Sequence, residues 1–195
     1  TSQRAKFWEG ARYYLQWAGM PFEIYSHTYG INDYTDDYAS RGKWVNYLNY
    51  GSVNAPDYEG LSIPIDLSLA FHSDAGIDTA STVGSLAIVS TVSDKQTVFP
   101  NKQSRYASVD MANIILSEIK KDIRATADSL WSIRGIKNAN YAESRMPTVP
   151  SMILESMSHQ NFNDMRLGLD PSFQFTFARA VYKGILKFIA YQHNR

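Results

Sequence analysis

Residues 63–72 read Ile-Pro-Ile-Asp-Leu-Ser-Leu-Ala-Phe-His, and the predicted fold is built outward from this stretch. Branched and aromatic side chains dominate it as far as Phe71, which predicts a buried strand. Similar apolar runs predict further strands at Leu86 to Val92 and at Val149 to Leu154, and a short one at Phe22 to Ser26. We expect these four strands to share one sheet.

Helical periodicity fills the segments between the strands. It predicts helices over Arg4 to Ala18, Tyr38 to Asn49, Val109 to Ile123 and Phe173 to Tyr191, with Thr28 to Asp37 as a polar loop. The apolar stripes predicted to face the core are Val109, Ala112, Ile115, Ile119 and Ile123 in the third helix, and Phe173, Phe177, Val181, Gly184 and Phe188 in the last. This alternation predicts a single α/β domain with a mostly parallel sheet and helices on both faces.

Composition narrows the functional classes. The 195 residues carry 19 basic and 19 acidic side chains, so a charge-driven nucleic-acid partner is not expected. The chain has no cysteine, which excludes thiolate metal sites and cysteine nucleophiles. No apolar run approaches the roughly 20 residues that a membrane span needs. The hydrophobic fraction of 44% is ample for a packed core.

Two ionisable residues follow predicted strands directly. In α/β sheets, sites gather beyond the carboxyl ends of the strands, so His72 and Glu155 are expected to converge on one cleft. His72 is either a zinc ligand or a hydrogen-bonded histidine at the sheet edge. Glu155 is either a general base whose pKa is raised by burial, or the partner of Arg134 or Arg145 in a salt bridge.

The segment around Glu155 resembles the C-terminal block of the zinc-dependent N-acetylmuramoyl-L-alanine amidases. Pro150 to Glu155 matches the Pro-x-x-Leu-x-Glu strand that carries the catalytic glutamate in that family. Asn161 follows six residues later, as in the family. Asp170-Pro171-Ser172-Phe173-Gln174 then leads into a terminal helix that contains Gly184-Ile185.

Further matches lie upstream in the same order. Residues 134–137, Arg-Gly-Ile-Lys, resemble an Arg-Gly-Val-Lys segment, and residues 69–75 resemble the segment whose histidine binds zinc. Arg41 and Asn46 match an Arg and an Asn of the preceding helix. The resemblance implies a phosphorylase/hydrolase-like fold with Glu155 as catalytic residue and His72 as a zinc ligand. It also implies that Arg134 and Asn161 bind substrate or support the site.

Other family features are missing from this chain. It has no Asp-Pro-Gly-His-Gly-Gly loop to supply the first zinc histidine, and the position of the family's zinc glutamate falls just before Thr1. Glu9 is interpreted as a solvated flank of the first helix. Met157 replaces a usual glycine, and Asp74 a frequent asparagine. We therefore expect residues 1–195 to form an amidase-like catalytic domain that lacks its N-terminal strand and first zinc ligands.

The activity implied by the resemblance is hydrolysis of the amide between N-acetylmuramic acid and L-alanine in peptidoglycan. Zinc would activate the water and Glu155 would act as base. The implied protein is a monomer in the periplasm or outside the cell, with peptidoglycan as its partner. Two alternatives remain open: a non-catalytic cell-wall or glycan-binding module derived from this fold, and another α/β hydrolase such as a metallopeptidase or a carbohydrate-active enzyme.

Overall fold

The computed structural model describes residues 8–75 and 80–193. The strands are β1 (Ser68–Asp74), β2 (Ser85–Val89), β3 (Ile133–Asn138) and β4 (Ser151–Ser158). The helices are α1 (Ala11–Trp17), α2 (Phe22–Tyr25), α3 (Asp33–Asn49), α4 (Ala107–Thr126), α5 (Ala142–Arg145), α6 (Phe162–Gly168) and α7 (Pro171–His193). Within these described ranges, no helix has the length and apolar character needed to cross a membrane.

All four strands form one sheet in the order β1-β4-β2-β3. β1 is parallel to β4 and β2 is parallel to β3, but β2 and β4 pair antiparallel. The sheet is therefore mixed, whereas the sequence predicted a mostly parallel one. Residues 75–84 connect β1 to β2, and a parallel crossover needs about a dozen residues or more. The short connection explains why the chain reverses direction between these strands.

The hydrophobic core lies between one face of the sheet and the helix pair α4 and α7. Met152 and Leu154 of β4 point into this core, beside the fully buried Trp131. The predicted stripes are confirmed: every residue named for α7 is buried, and so are those named for α4 except the partly buried Val109. Burial of one helical face explains why periodicity located both helices.

The opposite face of the sheet is covered by α3 and α5, which pack against each other. Ile153 and Glu155, which alternate with the core residues along β4, line a cavity on this side. α1 and α2 pack against α3 and complete the layer. Helices thus lie on both faces, as the sequence predicted.

The strand predicted at Phe22 to Ser26 is wrong, because Phe22–Tyr25 is the short helix α2. Pro21 precedes it with φ −55°, an angle that suits the start of a helix. Four residues that alternate apolar and polar character do not distinguish one helical turn from a strand.

The predicted polar loop from Thr28 to Asp37 is wrong in its second half, because α3 begins at Asp33 and not at Tyr38. The side chain of Asn32 accepts a hydrogen bond from the backbone N–H of Thr35 at 3.0 Å and caps the helix. The acidic residues of the first turn suit the positive end of the helix. Of the first predicted helix, residues 11–17 are helical, and residues 4–7 lie outside the described ranges.

Strand boundaries differ from the prediction in three ways. The strand predicted to be buried from Ile63 to Phe71 begins only at Ser68, and it is an edge strand with intermediate and exposed side chains. β1 and β4 extend through Asp74 and Ser158, so His72 and Glu155 lie within strands and not after them. β3 carries the Arg-Gly-Ile-Lys segment and was not predicted as a strand. It is a half-exposed edge strand that contains Gly135 and two cationic side chains, so it lacks the apolar run that marks a central strand.

Candidate functional site

The pairing of β1 with β4 brings the two predicted site residues together. His72 and Glu155 are directly opposed partners in the parallel ladder, although 83 residues separate them in sequence. A hydrogen bond of 2.8 Å from Ser156 Oγ to the carbonyl oxygen of His72 reinforces the register at this point. The sheet therefore holds an imidazole and a carboxylate side by side on the face that α3 and α5 cover.

Both side chains line a cavity of about 550 Å³ between the sheet, α3 and α5. Its wall combines aliphatic side chains of β2 and β4 with charged and aromatic residues of the helices. The lining residues used below are His72, Asp74, Glu155, Arg41, Glu143 and Arg145. This arrangement of a few polar groups against an apolar wall is typical of a small-molecule or substrate site.

Glu143 of the short helix α5 is the closest described partner of His72. Its Oε2 atom lies 3.0 Å from His72 Nε2, and its Oε1 atom accepts a hydrogen bond of 3.1 Å from Arg41 Nη1. The hydrogen bond to Glu143 raises the pKa of His72. Desolvation alone would raise the pKa of Glu143, but contacts with His72 and Arg41 outweigh burial and lower it. Each group of the pair therefore favours the charged form of the other.

Glu155 occupies a less compensated position. Burial is the main reason that its pKa is raised, and the charge of His72 acts in the opposite direction. Its Oε2 atom is buried and has no hydrogen-bond partner among the described residues. The salt bridge to Arg134 or Arg145 considered above is not found within the described part of the chain. A carboxylate with a raised pKa and a free oxygen in a cavity is suited to proton transfer.

Arg134 reaches this region from the far edge of the sheet. Its Nη1 atom lies 2.8 Å from Asp74 Oδ2, so β3 is tied to the end of β1 across the two central strands. Desolvation would raise the pKa of Asp74, but the hydrogen bond from Arg134 helps to lower it. The guanidinium also opposes the upward pKa shift of Glu155. Arg134 thus supports the site electrostatically, without a direct contact to Glu155.

Asn161 is not brought to the cavity. Its Oδ1 atom caps α6 by accepting from the backbone N–H of Asp164 at 2.9 Å, and its amide donates to the carbonyl oxygen of Ser81. His159 contacts Ser73 Oγ through Nδ1 at 3.0 Å. The structure shows Asn161 as the cap of α6, and its predicted role in binding substrate or supporting the site stays a prediction.

Glu143 is the site residue that the sequence did not indicate. It lies in a one-turn helix, in a polar stretch with no apolar periodicity, and it matches none of the family segments. Only tertiary contacts with α3 and β1 place its carboxylate on His72. The one signal that the sequence offered was an acidic residue shortly before the apolar run from Val149 to Leu154, and this signal is weak.

The side chains around His72 were compared with the needs of a catalytic zinc ion. Such an ion takes three protein ligands of the His, Asp or Glu type. In residues 8–75 and 80–193, no group of three or more suitable side chains is close enough to hold a metal. His72 and Glu143 are donors of the right kind, but they fall one ligand short. The described residues therefore do not fit a complete zinc site.

Comparison with known families gives one match. A sequence model described as N-acetylmuramoyl-L-alanine amidase matches residues 61–187, which include β1 to β4 and the cavity residues His72, Glu143 and Glu155. Among curated proteins, none matches the chain.

Solved amidase structures share the fold. The CwlD amidase from Clostridioides difficile, solved with the GerS lipoprotein, has a TM-score of 0.58 and 17% identity over 81% of this chain and 64% of its own. An N-acetylmuramoyl-L-alanine amidase from Clostridium difficile 630 has a TM-score of 0.57 and 16% identity over 86% and 78%. The catalytic domain of CwlV, an amidase from Bacillus (Paenibacillus) polymyxa var. colistinus, has a TM-score of 0.50 and 17% identity over 78% and 82%.

At such identities the structural likeness establishes the fold, and the chain spans 64% of the length of the CwlD structure. The sequence model independently covers well over half of the chain, from residue 61 to residue 187. The chain therefore belongs to the N-acetylmuramoyl-L-alanine amidase family.

Proposed function

We propose that this chain hydrolyses the amide bond between N-acetylmuramic acid and L-alanine in peptidoglycan. The observation that carries the proposal is the opposition of His72 and Glu155 at one cavity, within the segment that matches the family. This substrate places the protein in the periplasm or outside the cell, where it acts as a monomer on the cell wall.

Glu155 is the general base in this proposal. Its carboxylate takes a proton from water as the water oxygen attacks the carbonyl carbon of the lactyl group. The same proton then passes to the nitrogen of L-alanine as the carbon–nitrogen bond breaks, which leaves a carboxylic acid and a free amine. The raised pKa of Glu155, caused mainly by burial, makes it a stronger base than a solvated carboxylate.

Two cationic neighbours oppose the upward pKa shift of Glu155, whereas the carboxylates of Asp74 and Glu143 add to it. His72 lies opposite in the ladder, and its positive charge counteracts the upward pKa shift that burial imposes. Arg134 has the same effect and also fixes Asp74. Without these cations the pKa of Glu155 would be raised further, and a larger fraction of the carboxylate would be protonated and unable to accept the water proton.

The family resemblance implies zinc as cofactor and His72 as one of its ligands. The described donors near His72 do not complete a three-ligand set. We accordingly propose that residues 1–195 hold zinc weakly. Activity assays should therefore contain excess zinc, because a high concentration of the ion fills a weak site.

Two substitutions test the proposal by release of stem peptides from purified peptidoglycan. Glu155→Gln should retain the fold and zinc uptake but lower the rate by a factor on the order of 10² or more, because the amide cannot take the proton. His72→Ala should lower zinc uptake and activity together. The exposed Glu59→Gln is a matched control that should cleave at the wild-type rate.

A Glu155→Gln variant that cleaves as fast as wild type would refute the assigned mechanism. Absence of cleavage by the wild-type chain would instead favour the non-catalytic glycan-binding module. One observation favours that alternative: His72 Nε2 is engaged by Glu143. Retained binding to peptidoglycan without peptide release would identify it.

A further inference from the structure

A second cavity of about 490 Å³ lies outside the cleft of His72 and Glu155. Three cationic side chains line it: Arg105, Arg145 and Lys102. Asp94 is its one acidic lining residue. Arg145 also lines the cleft cavity, so the two spaces share a wall. The cationic excess distinguishes this cavity from the cleft, where carboxylates and cations balance.

Arg105 is the buried member of this group, with only 5% of its surface exposed. Its guanidinium stacks on the ring of Phe99 at 4.5 Å, and Nη1 donates a hydrogen bond of 3.3 Å to the carbonyl oxygen of Arg145. Its Nε atom is buried with no hydrogen-bond partner among the described residues. Within that part of the chain, no carboxylate comes within 4.0 Å of it. Asp94 acts on it only at longer range.

A buried cation without a carboxylate partner is costly. Burial lowers the pKa of Arg105, but an arginine side chain does not lose its proton in proteins. The stacking on Phe99 compensates only part of the desolvation, because cation–π contacts are weaker than charged hydrogen bonds. An anion in the cavity would place a compensating negative charge beside the guanidinium of Arg105.

The loop that closes the cavity has an uncommon backbone. Asp94, Lys95 and Lys102 adopt φ values of +49°, +66° and +68°, which non-glycine residues rarely do. Backbone pairing between Ser93 and Gln96, and between Val98 and Ser104, holds the loop in this form. The loop thereby carries Lys102 and the hydroxyl of Ser93 on the cavity wall. The wall is built by specific pairing and is not a chance surface depression.

We propose that this cavity is a carboxylate-binding site in which Arg105 and Arg145 hold the ligand and Lys102 contributes charge. The planar guanidinium group matches the two oxygens of a carboxylate better than it matches a halide. The carboxylate comes either from a stem peptide bound in the adjoining cleft or from a small free anion. Only the first source rests on the proposed function, because binding itself requires no catalysis.

The test follows the Nε–H signal of Arg105 by nitrogen–proton NMR during titration with acetate at constant ionic strength. Wild type should show a saturable shift, because a carboxylate bound beside the guanidinium changes the electrostatic environment of the Nε–H group. Arg145→Gln should weaken acetate binding by about tenfold, the effect of losing one charged hydrogen bond. Lys102→Gln should weaken it less. Lys95→Gln lies on the same loop but outside this cavity, and should bind as wild type does.

Competition by a soluble stem peptide, but not by its fully amidated form, would assign the carboxylate to the substrate. Acetate binding without such competition would assign it to a free anion, and both outcomes support the site. Unsaturable shifts, equal affinity in Arg145→Gln and wild type, or binding of inorganic phosphate but not of acetate would overturn it. Glu155→Gln should bind acetate normally, so failure of the catalytic proposal is distinguishable from failure of this one.

Arg105→Met removes the central group, and circular dichroism shows whether the variant folds. A folded Arg105→Met protein should show no saturable binding of acetate, measured then by the signal of Arg145. If Arg105→Met does not fold, the acetate affinities of Arg145→Gln and Lys95→Gln test the proposal instead.

Discussion

Glu143 and His72 form the most consequential contact at the scale of single residues. Each carries a charge that the other stabilises in a partly buried position, and Arg41 holds the far oxygen of Glu143 while it also pairs with Asp37 at 2.7 Å. This chain of charges fixes the imidazole beside Glu155. Contact with Glu143 favours the protonated form of His72, whereas zinc binds the neutral imidazole.

Glu143→Gln should therefore lower the pKa of His72 toward its ordinary value of about 6.5. Because the pKa of His72 is raised in the folded state, its interaction with Glu143 stabilises the fold fully below about pH 6.5, the ordinary pKa of histidine. This stabilisation is lost as the pH rises through the folded-state pKa of His72. The lowered pKa of Glu143 means that its part is present above about pH 4.3 and is lost as pH falls through its folded-state pKa.

Nitrogen–proton NMR of the imidazole in chelator-treated protein measures this change directly. Wild type and the control Glu59→Gln should titrate together, and Glu143→Gln at lower pH. Identical titration of His72 in all three proteins would show that Glu143 does not shift the pKa of the imidazole.

At the scale of elements, the contact between α4 and α7 supports the whole sheet from one side. Gly184 allows the close approach, because a methyl group added there would lie 2.8 Å from both Cα and Cγ1 of Ile115. Contacts that short involve backbone and cannot be relieved by one side-chain rotation. The two helices are therefore held at a distance that only glycine permits.

Gly184→Ala should lower the free energy of unfolding by about 1–3 kcal/mol, the usual cost of overpacking a core. Alanine is the better helix former, so any loss reports the clash and not the propensity. Tyr182→Ala, at an exposed position of the same helix, should stay within about 0.5 kcal/mol of wild type. Urea denaturation measures both variants, and a Gly184→Ala protein more stable than wild type would contradict the packing argument.

At the scale of the whole molecule, the mixed sheet decides where chemistry can occur. β1 and β4 run together and oppose His72 to Glu155, while the reversed strands β2 and β3 bring Arg134 across to Asp74. Side chains that could bind a metal thus converge from several elements. Among the described residues, however, only His72 and Glu143 lie close enough together to share one metal ion.

Zinc should therefore bind to residues 1–195 weakly or not at all, because His72 and Glu143 are only two of the three ligands that a catalytic zinc ion takes, and an incomplete set lowers the affinity. Equilibrium dialysis followed by elemental mass spectrometry should find less than one zinc per chain at micromolar zinc. One tightly held zinc per chain would show that the ligands were misplaced, and Glu9, His27 and His159 would be the next residues to replace.

The sequence alone located the elements whose burial follows a regular period. The stripes of α4 and α7 and the apolar runs of β1, β2 and β4 are local patterns, so they could be identified without knowing their partners. Matches to family segments likewise identified His72 and Glu155. The short helix α2, the capped start of α3 and the edge strand β3 were missed, because short or polar segments carry little periodic signal.

Only the tertiary structure decided how these pieces meet. Strand direction and register depend on chain reversals and on pairing between residues far apart in sequence, so no local pattern contains the opposition of His72 to Glu155. The same holds for the contacts of Glu143 with His72 and of Arg134 with Asp74. It also holds for the buried Nε atom of Arg105, which has no hydrogen-bond partner in the part of the chain that the structure describes. Charged side chains acquire their roles from the neighbours that burial leaves them, and those neighbours exist only in the folded chain.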